Sequence, residues 1–227
     1  MSPSTRDRPA KAPLSREAVI EAGLKVLRED GIDGVTMRRV AAELDTGAAS
    51  LYVYVKNRED LLNQMFDAVV GEIDLPDQPD PKRWREQLIA AITTARDAMD
   101  RYPGIARVPL ANVPTGPNAT RLADRMLGIL RAGDVDDRSA AWFVDVVSLY
   151  LNAASYEASI YVEEGREHDD VDEEIRDAFA QLNSADYPNI TALMPMLTMG
   201  SGDERFAFGL QLMINGLLNT PPPQIQV

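Results

Sequence analysis

Residues 36–58, TMRRVAAELDTGAASLYVYVKNR, place the strongest constraint on how this chain can fold. Thr36 is a good helix N-cap, and the apolar residues after it recur on one helix face as far as Leu44. The Asp-Thr-Gly sequence at residues 45–47 then breaks the helix. A second helix is predicted over about residues 48–55, with two inward-facing apolar residues one turn apart. The stretch therefore predicts two short helices joined by a tight turn.

Longer amphipathic helices flank this pair. Ser15 predicts the start of the helix before it, which should end at residues 29–31, where a glycine suits the C-terminal cap. The helix after it has an apolar stripe within residues 59–73. A proline-rich run over residues 75–81 follows, and we place a domain boundary near its start.

Every later segment also has helical spacing, and we find neither an alternating strand pattern nor an internal repeat. Helices are predicted over residues 82–101, 118–131, 136–164, 173–183, 188–198 and 202–219, with an acidic loop over 165–173. We therefore predict an all-α protein with four parts. These are a flexible basic arm (1–14), a three-helix helix-turn-helix domain (15–75), a larger C-terminal helical domain (76–220) and a tail (221–227).

The composition argues against several classes of protein. The 227 residues include no cysteine, which excludes disulfides, thiolate zinc sites and a cysteine nucleophile. We find neither an apolar run of about 18 residues nor an apolar stretch after the basic N-terminus, so we expect no membrane span or signal peptide. The simplest interpretation is a soluble cytoplasmic protein. A Ser/His/Asp set and a histidine pair are also missing, so we expect neither an enzyme nor a cofactor.

The charge is unevenly distributed. The net charge of −13 argues by itself against a nucleic-acid partner. However, residues 1–58 carry 10 Lys/Arg and 8 Asp/Glu, a balance of +2, whereas residues 59–227 carry 13 and 28, a balance of −15. A basic-leaning head on an acidic body can present that head to phosphates, and two short helices of this kind fit a DNA major groove. The arm either contacts DNA or is a plain tail.

The sequences GIDGVTMRRVAAEL (31–44) and AASLYVYVKNREDLL (48–62) resemble those of the TetR family of bacterial transcriptional regulators. The likeness covers roughly residues 15–75. DERFAFGL (203–210), with Gly-Leu-Leu at 216–218, also resembles the end of the C-terminal domain of tetracycline-repressor-type proteins. The chain departs from the family at Asp45, where glycine is usual, and at Thr46, where an apolar residue is usual. Aspartate tolerates the left-handed conformation of the turn better than most residues.

The resemblance implies a double-stranded DNA operator as partner and a role for each matching residue. Thr36 and Arg38 would touch phosphate or a base edge, Ala48, Ala49, Ser50, Tyr52 and Val53 would lie on the recognition helix, and Tyr54, Lys56 and Arg58 would contact phosphates. Because the short methyl side chains of the alanines offer no hydrogen bonds to bases, specificity should depend on Arg38, Tyr52 and DNA shape. Two short amphipathic helices with a tyrosine pair also occur in all-α proteins that do not bind DNA.

The last helix is apolar nearly all round and must be covered on more than one side. Gly209 and Gly216 lie seven residues apart on one face, where they would permit close helix approach. We expect this helix and the helix over 136–164 to form a homodimer interface, with burial inside one subunit as the alternative. A dimer would read two half-sites about 34 Å or a multiple apart.

The C-terminal domain should also hold a small-molecule effector. Candidate ligand-binding residues, each of which could instead belong to the core, are Met99, Met126, Trp142, Phe143, Tyr150, Met194 and Met196. Because His168 falls in the predicted acidic loop, we expect an apolar or aromatic effector without a metal rather than a histidine-assisted magnesium complex. The acidic residues of that loop match no known calcium loop.

These features predict a repressor that is released from a palindromic operator when the effector shifts the fourth helix. An activator, and a small-molecule-binding protein without a DNA function, remain the alternatives.

Overall fold

The computed structural model describes residues 13–75, 78–166 and 168–221, so most of the predicted arm and tail lie outside the described residues. Within these ranges every regular element is a helix, as predicted. In chain order the helices are α1 (Arg16–Gly34), α2 (Met37–Glu43), α3 (Ala48–Leu51), α4 (Arg58–Gly71), α5 (Trp84–Asp100), α6 (Arg107–Ala111), α7 (Pro117–Ala132), α8 (Asp137–Glu163), α9 (His168–Ala180), α10 (Pro188–Leu197) and α11 (Gly202–Asn219).

Helices α1 to α4 form the N-terminal head. Ser15 caps α1 by accepting a hydrogen bond from the backbone N–H of Ala18 (3.1 Å). Thr36 caps α2 in the same way, with the N–H of Arg39 as donor (3.2 Å). Most of the predicted inward residues of this segment are buried in the core of the head, which includes Val19, Leu27, Val40, Leu51, Val55 and Met65. Met37 and Leu44 are half-buried and pack against this core.

The prediction that α1 ends at residues 29–31 matches a break in the helix at that point. Gly31 has a positive-φ, non-helical conformation (φ 70°, ψ 175°), and a further helical turn beyond this kink runs to Gly34. Ile32 within this turn is buried, and its burial stabilises the additional turn.

Helix α3 is shorter than the predicted 48–55 and ends at Leu51. The N–H groups of Tyr54 and Val55 both donate to the carbonyl oxygen of Leu51, at 2.9 and 3.0 Å, and close the helix there. Residues 52–55 are aromatic or β-branched and therefore have low helix propensity. In the turn before α3, Asp45 adopts the expected left-handed conformation (φ 49°).

Helix α4 connects the head to the rest of the protein. Asn57 caps it by accepting a hydrogen bond from the N–H of Asp60 (2.8 Å). The helix packs against α1 on the head side and against α5, α6 and α7 on the other. Met65 and Val69 are fully buried between these neighbours, as the predicted stripe requires.

Helices α5, α7 and α8 pack against one another and form the core of the C-terminal part. Gly133, just after α7, lets the chain pass close to Trp84, because an added Cβ would lie 2.4 Å from the indole ring. Helix α11 packs on α8, where the rings of Tyr150 and Phe206 stack with centroids 5.2 Å apart.

The predicted acidic loop over 165–173 is wrong in its C-terminal half, because α9 begins at His168. Val171, Ile175 and Phe179 are half-buried at i, i+4 and i+8, a helical signal that the run of acidic residues obscured. Acidic residues in the first turns also interact favourably with the helix dipole. Asp172 is buried and pairs with Arg205 of α11 at 3.3 Å.

Candidate nucleic-acid interface and ligand cavity

Helices α2 and α3 and the turn after them present an exposed surface. Tyr52 is 56% exposed and Val53 is 78% exposed. These two adjacent side chains are therefore not walled off inside the protein and can reach an external partner. The rest of the predicted recognition set accompanies them, with Thr36, Arg38, Ala49 and Lys56 exposed and Ala48 and Ser50 half-buried.

The two arginines of α2 differ in their partners. Arg39 binds Glu29, Asp30 and Glu43 at 2.9, 2.7 and 3.0 Å, so it joins α1 to α2. Hydrogen bonds from Lys25 and Arg39 lower the pKa of Glu43 below its ordinary value. Arg38 is exposed, and within the described ranges no hydrogen bond or ion pair engages its guanidinium. Arg38 is therefore the arginine of α2 that is available to an external acceptor.

Two of the predicted phosphate-contact residues bind within the head. The hydroxyl of Tyr54 donates to the carbonyl oxygen of Leu14 (2.6 Å). Arg58 donates through Nε to the carbonyl oxygen of Val35 (2.6 Å) and through a terminal nitrogen to that of Ile32 (2.7 Å). The two bonds of Arg58 satisfy carbonyl groups at and just beyond the end of α1. Both side chains thus hold the head together in this structure.

A cavity of about 560 Å³ lies between α4, α5, α6, α7 and α8. Met99 and Met126, two of the predicted ligand-binding residues, line it and are nearly fully buried. Phe66 and Val70 of α4 contribute to the same wall. The helix that carries the head therefore also forms part of the cavity.

The other predicted ligand-binding residues lie elsewhere. Phe143 is buried in the core, and Tyr150 lines a second cavity of about 800 Å³ beside α9 and α11. The hydroxyl of Tyr150 donates to the carbonyl oxygen of Phe206 (3.2 Å), and burial raises its pKa. Trp142 and Met196 are exposed, and Met194 is half-buried on α10.

The polar residues of the first cavity were not predicted from the sequence. Asp145, Ser148 and Asn152 of α8 line it, together with Asn112 after α6. The three residues of α8 lie at i, i+3 and i+7 on one helix face, a spacing that could have identified them. The predicted set contained methionines and aromatic residues alone.

Asp67 of α4 holds the start of α7. Its Oδ1 accepts hydrogen bonds from the backbone N–H groups of Asn118 (3.0 Å) and Ala119 (2.9 Å). The amide of Asn118 in turn donates to the carbonyl oxygen of Asp67 (2.9 Å). Gly116 permits this approach, because an added Cβ would lie 2.1 Å from Oδ1. A carboxylate from one helix thus caps the N-terminus of another.

Among the described residues, none of the helices is long and apolar enough to cross a membrane. Nor do three or more His, Asp or Glu side chains of the described ranges converge in a way that could hold a metal ion.

Two protein-family models match the sequence. Residues 19–65 match "Bacterial regulatory proteins, tetR family", and residues 75–220 match "Tetracyclin repressor-like, C-terminal domain". The HTH-type transcriptional repressor DrrR1 of Streptomyces coeruleorubidus is 29% identical over 221 residues, which cover 94% of this chain and 82% of DrrR1. The tetracycline repressor protein class C of Escherichia coli is 27% identical over 205 residues, 90% of each chain.

Solved structures agree with this match. The Streptomyces coelicolor TetR family protein ActR, in complex with actinorhodin, is 35% identical and superposes with a TM-score of 0.83 over 91% of this chain and 96% of ActR. ActR in complex with (S)-DNPA gives a TM-score of 0.82 at 34% identity, over 92% and 98% of the two chains. Sequence and fold agree over nearly the whole length, and the chain belongs to the TetR family of bacterial transcriptional regulators.

Proposed function

We propose that this chain is a repressor that binds a palindromic operator as a homodimer and is released by a small apolar or aromatic effector. The observation that carries the proposal is the exposed surface of α2 and α3, where Arg38 has no partner within the described residues. Residues 15–75 act as the DNA-binding head, and residues 76–220 bind the effector and dimerise. The repressor DrrR1 and the tetracycline repressors, which resemble this chain over most of its length, support this assignment.

The exposed face shared by α8 and α11 supports the homodimer. Trp142, Val146 and Leu149 of α8 are 44–54% exposed at i, i+4 and i+7, and Phe208 and Leu212 of α11 are 63% and 55% exposed. Helices α8 and α11 pack against each other, and exposed apolar rows on two such neighbours are rarely left uncovered in a monomer. A second copy of the chain, related by two-fold symmetry, would bury them as a four-helix interface.

One of the two glycines of α11, Gly209, acts differently from the sequence-based expectation. An added Cβ at Gly209 would lie 2.2 Å from the hydroxyl oxygen of Tyr150 in the same chain, so this glycine serves packing within one subunit. Gly216 has no atom within 4 Å of an added Cβ among the described residues. The dimer proposal therefore depends on the apolar face and not on Gly209.

The shared position of α4 supports gating by the effector. Phe66 and Val70 line the cavity, while Leu61 and Met65 of the same helix are buried in the core formed with the head. Asp67 fixes α4 to α7, whose Ala119 and Leu122 also line the cavity. An effector that binds more tightly to the DNA-incompetent arrangement would shift α4 and thereby the head. ActR in complex with actinorhodin supports a small organic effector.

Replacing Asp67 with alanine tests this link. We expect operator affinity to change by about 0.5–2 kcal/mol, roughly two- to thirtyfold, although no residue of the DNA-binding surface is altered. Loss of the cap should also lower the free energy of unfolding by about 0.5–2 kcal/mol. Fluorescence anisotropy with labelled operator and urea unfolding measure the two effects.

Asp74 provides the matched control, since its exposed carboxylate has no partner among the described residues. Asp74→Ala removes the same charge and should leave both quantities unchanged. Equal operator affinities for the two variants would contradict a coupling role for Asp67.

The proposed function itself is tested by a gel shift with DNA fragments that flank the chain's own gene, at 50 and 200 mM salt. If each head neutralises two phosphates, for example through Arg38 and Lys56, the dimer makes four such contacts. Counterion release then predicts a loss of affinity of roughly 100-fold between the two salt concentrations.

Salt-independent binding, or no binding to any of these fragments, would argue for a small-molecule-binding protein without a DNA function. A reporter assay that shows increased transcription would indicate the activator alternative.

A further inference from the structure

One wall of the 560 Å³ cavity contains a polar group without a partner. Asn152 of α8 is 8% exposed and lines the cavity, and within the described part of the chain no hydrogen bond reaches its amide. Its polar atoms are not among the sealed unpaired atoms of the described residues, so they open onto the cavity, and a ligand that displaces water there must replace the hydrogen bonds that the water makes. Most buried polar side chains have a partner, so an orphaned one that opens onto a cavity indicates a polar group on the bound molecule.

Asn152 belongs to a row. Ser148, one turn before it, lines the same wall, and its hydroxyl donates to the carbonyl oxygen of Val144 (2.6 Å), which leaves its own oxygen able to accept. Asp145 precedes them on the same helix face. The row therefore offers donors and acceptors along one edge of the cavity, at the spacing of successive helical turns.

The charge of the lining restricts the bound molecule. Of the described lining residues, Asp145 is the one charged side chain, and Lys, Arg and His do not occur among them. No hydrogen bond or ion pair with another described residue engages its carboxylate. An anionic ligand would lose hydration and meet a carboxylate with no compensating cation. The lining thus disfavours carboxylates.

The opposite wall is apolar. Phe66 and Val70 come from α4, Met99 from α5, and Leu122 and Met126 from α7. Methionine side chains adapt to the outline of a bound molecule, and the cavity volume is in the range that holds drug-sized ligands. The two walls together suit a molecule with an apolar face and a polar edge.

We propose that this cavity takes an uncharged and largely apolar effector that carries keto or hydroxyl groups along one edge. The amide of Asn152 pairs with those groups, and Asp145 selects against carboxylated analogues. The inference rests on the proposed function, in which this cavity is the effector site, and it adds the chemical class of the effector and the residues that select it.

Three compounds with one carbon skeleton test the proposal: anthracene, 1,8-dihydroxyanthraquinone and the 3-carboxylic acid of that quinone. Dissociation constants are measured by equilibrium dialysis against the full chain. We expect the neutral quinone to bind at least about tenfold more tightly than either of the others. Asn152→Leu should weaken quinone binding by about tenfold and leave anthracene binding unchanged or stronger, because it removes the amide and keeps the volume.

Asp145→Asn is the second variant, at an exposed position where folding is not at risk. It should strengthen binding of the acid by about two- to fivefold without changing binding of the neutral quinone.

The inference is overturned if the acid binds as tightly as the quinone, if Asn152→Leu weakens anthracene and quinone binding equally, or if none of the compounds binds. Operator binding is measured in parallel without any compound. Its absence would contradict the proposed function, whereas intact operator binding with unselective compound binding would contradict this inference alone.

Discussion

Replacing both Phe208 and Leu212 with aspartate is expected to make the protein monomeric and to remove its operator binding. Both side chains are exposed on the face of α11 opposite its buried residues Phe206, Leu210 and Ile214. In the proposed dimer a second copy covers this face, and two-fold symmetry places four new carboxylates at one interface. A buried unpaired charge costs several kcal/mol, so the dimer cannot form at ordinary concentrations.

The loss of operator affinity follows from the loss of the second head. In a dimer, the second head binds as an intramolecular event at an effective concentration in the millimolar range. A monomer lacks this gain, and we expect its affinity to fall by at least about 100-fold. Analytical ultracentrifugation measures the oligomeric state, and fluorescence anisotropy measures operator binding. Trp142 lies on the exposed face of α8, so its emission should shift to longer wavelength in the monomer.

A double variant on the flank of the same helix is the control. Ala207 and Gln211 each precede one of the two altered residues, and lie about 100° round the helix from it. Ala207→Asp with Gln211→Asp adds the same charge at exposed positions, and we expect this protein to remain dimeric and to bind the operator. If the Phe208 and Leu212 variant stays dimeric while the flank variant dissociates, the interface lies on a different face of α11.

The local features of the head could be predicted from the sequence. Ser15, Thr36 and Asn57 are caps whose hydrogen bonds span three residues, so the residue type and its position suffice. The partners of Arg58 and Tyr54 could not be predicted in this way, because they lie 23 to 40 residues away along the chain. Family resemblance assigned these side chains to phosphates, and only the fold reveals that carbonyl groups of the head engage them.

The cavity was predictable as a class but not in its residues. Methionine and aromatic content indicated an adaptable apolar pocket, and Met99 and Met126 do line one. Trp142 has the same apolar character but lies roughly a quarter-turn round α8 from the cavity-lining row, and a sequence does not reveal which flank of a helix faces a void. Asn152 is one of several polar residues of α8, and what distinguishes it is that it is buried, has no partner among the described residues and lines the cavity.

Replacing Arg38 with alanine is expected to weaken operator binding strongly while leaving the fold intact. The guanidinium is exposed and has no partner among the described residues, so its removal breaks no internal contact. A bidentate contact to a base or a charged contact to phosphate is worth about 1–3 kcal/mol. The dimer has two heads, so the loss of binding free energy doubles to about 2–6 kcal/mol, or roughly 30-fold to 10⁴-fold in affinity.

Fluorescence anisotropy at several salt concentrations measures this loss of operator affinity. An unchanged salt slope indicates a base contact, and a slope reduced by about one unit per head indicates a phosphate contact.

Arg58→Ala is the matched comparison, because it removes the same side chain from a residue with internal partners. Loss of the two bonds to the carbonyl groups of Val35 and Ile32 should lower the free energy of unfolding by about 1–3 kcal/mol. Since the side chain is occupied within the head, operator affinity at a temperature where the variant is folded should fall much less than for Arg38→Ala. Urea unfolding and the anisotropy assay therefore separate the two arginines: one variant loses affinity at constant stability, and the other mainly loses stability. The reverse pattern would mean that Arg58 exchanges its carbonyl partners for phosphates on the operator, and that the free guanidinium of Arg38 does not face the DNA.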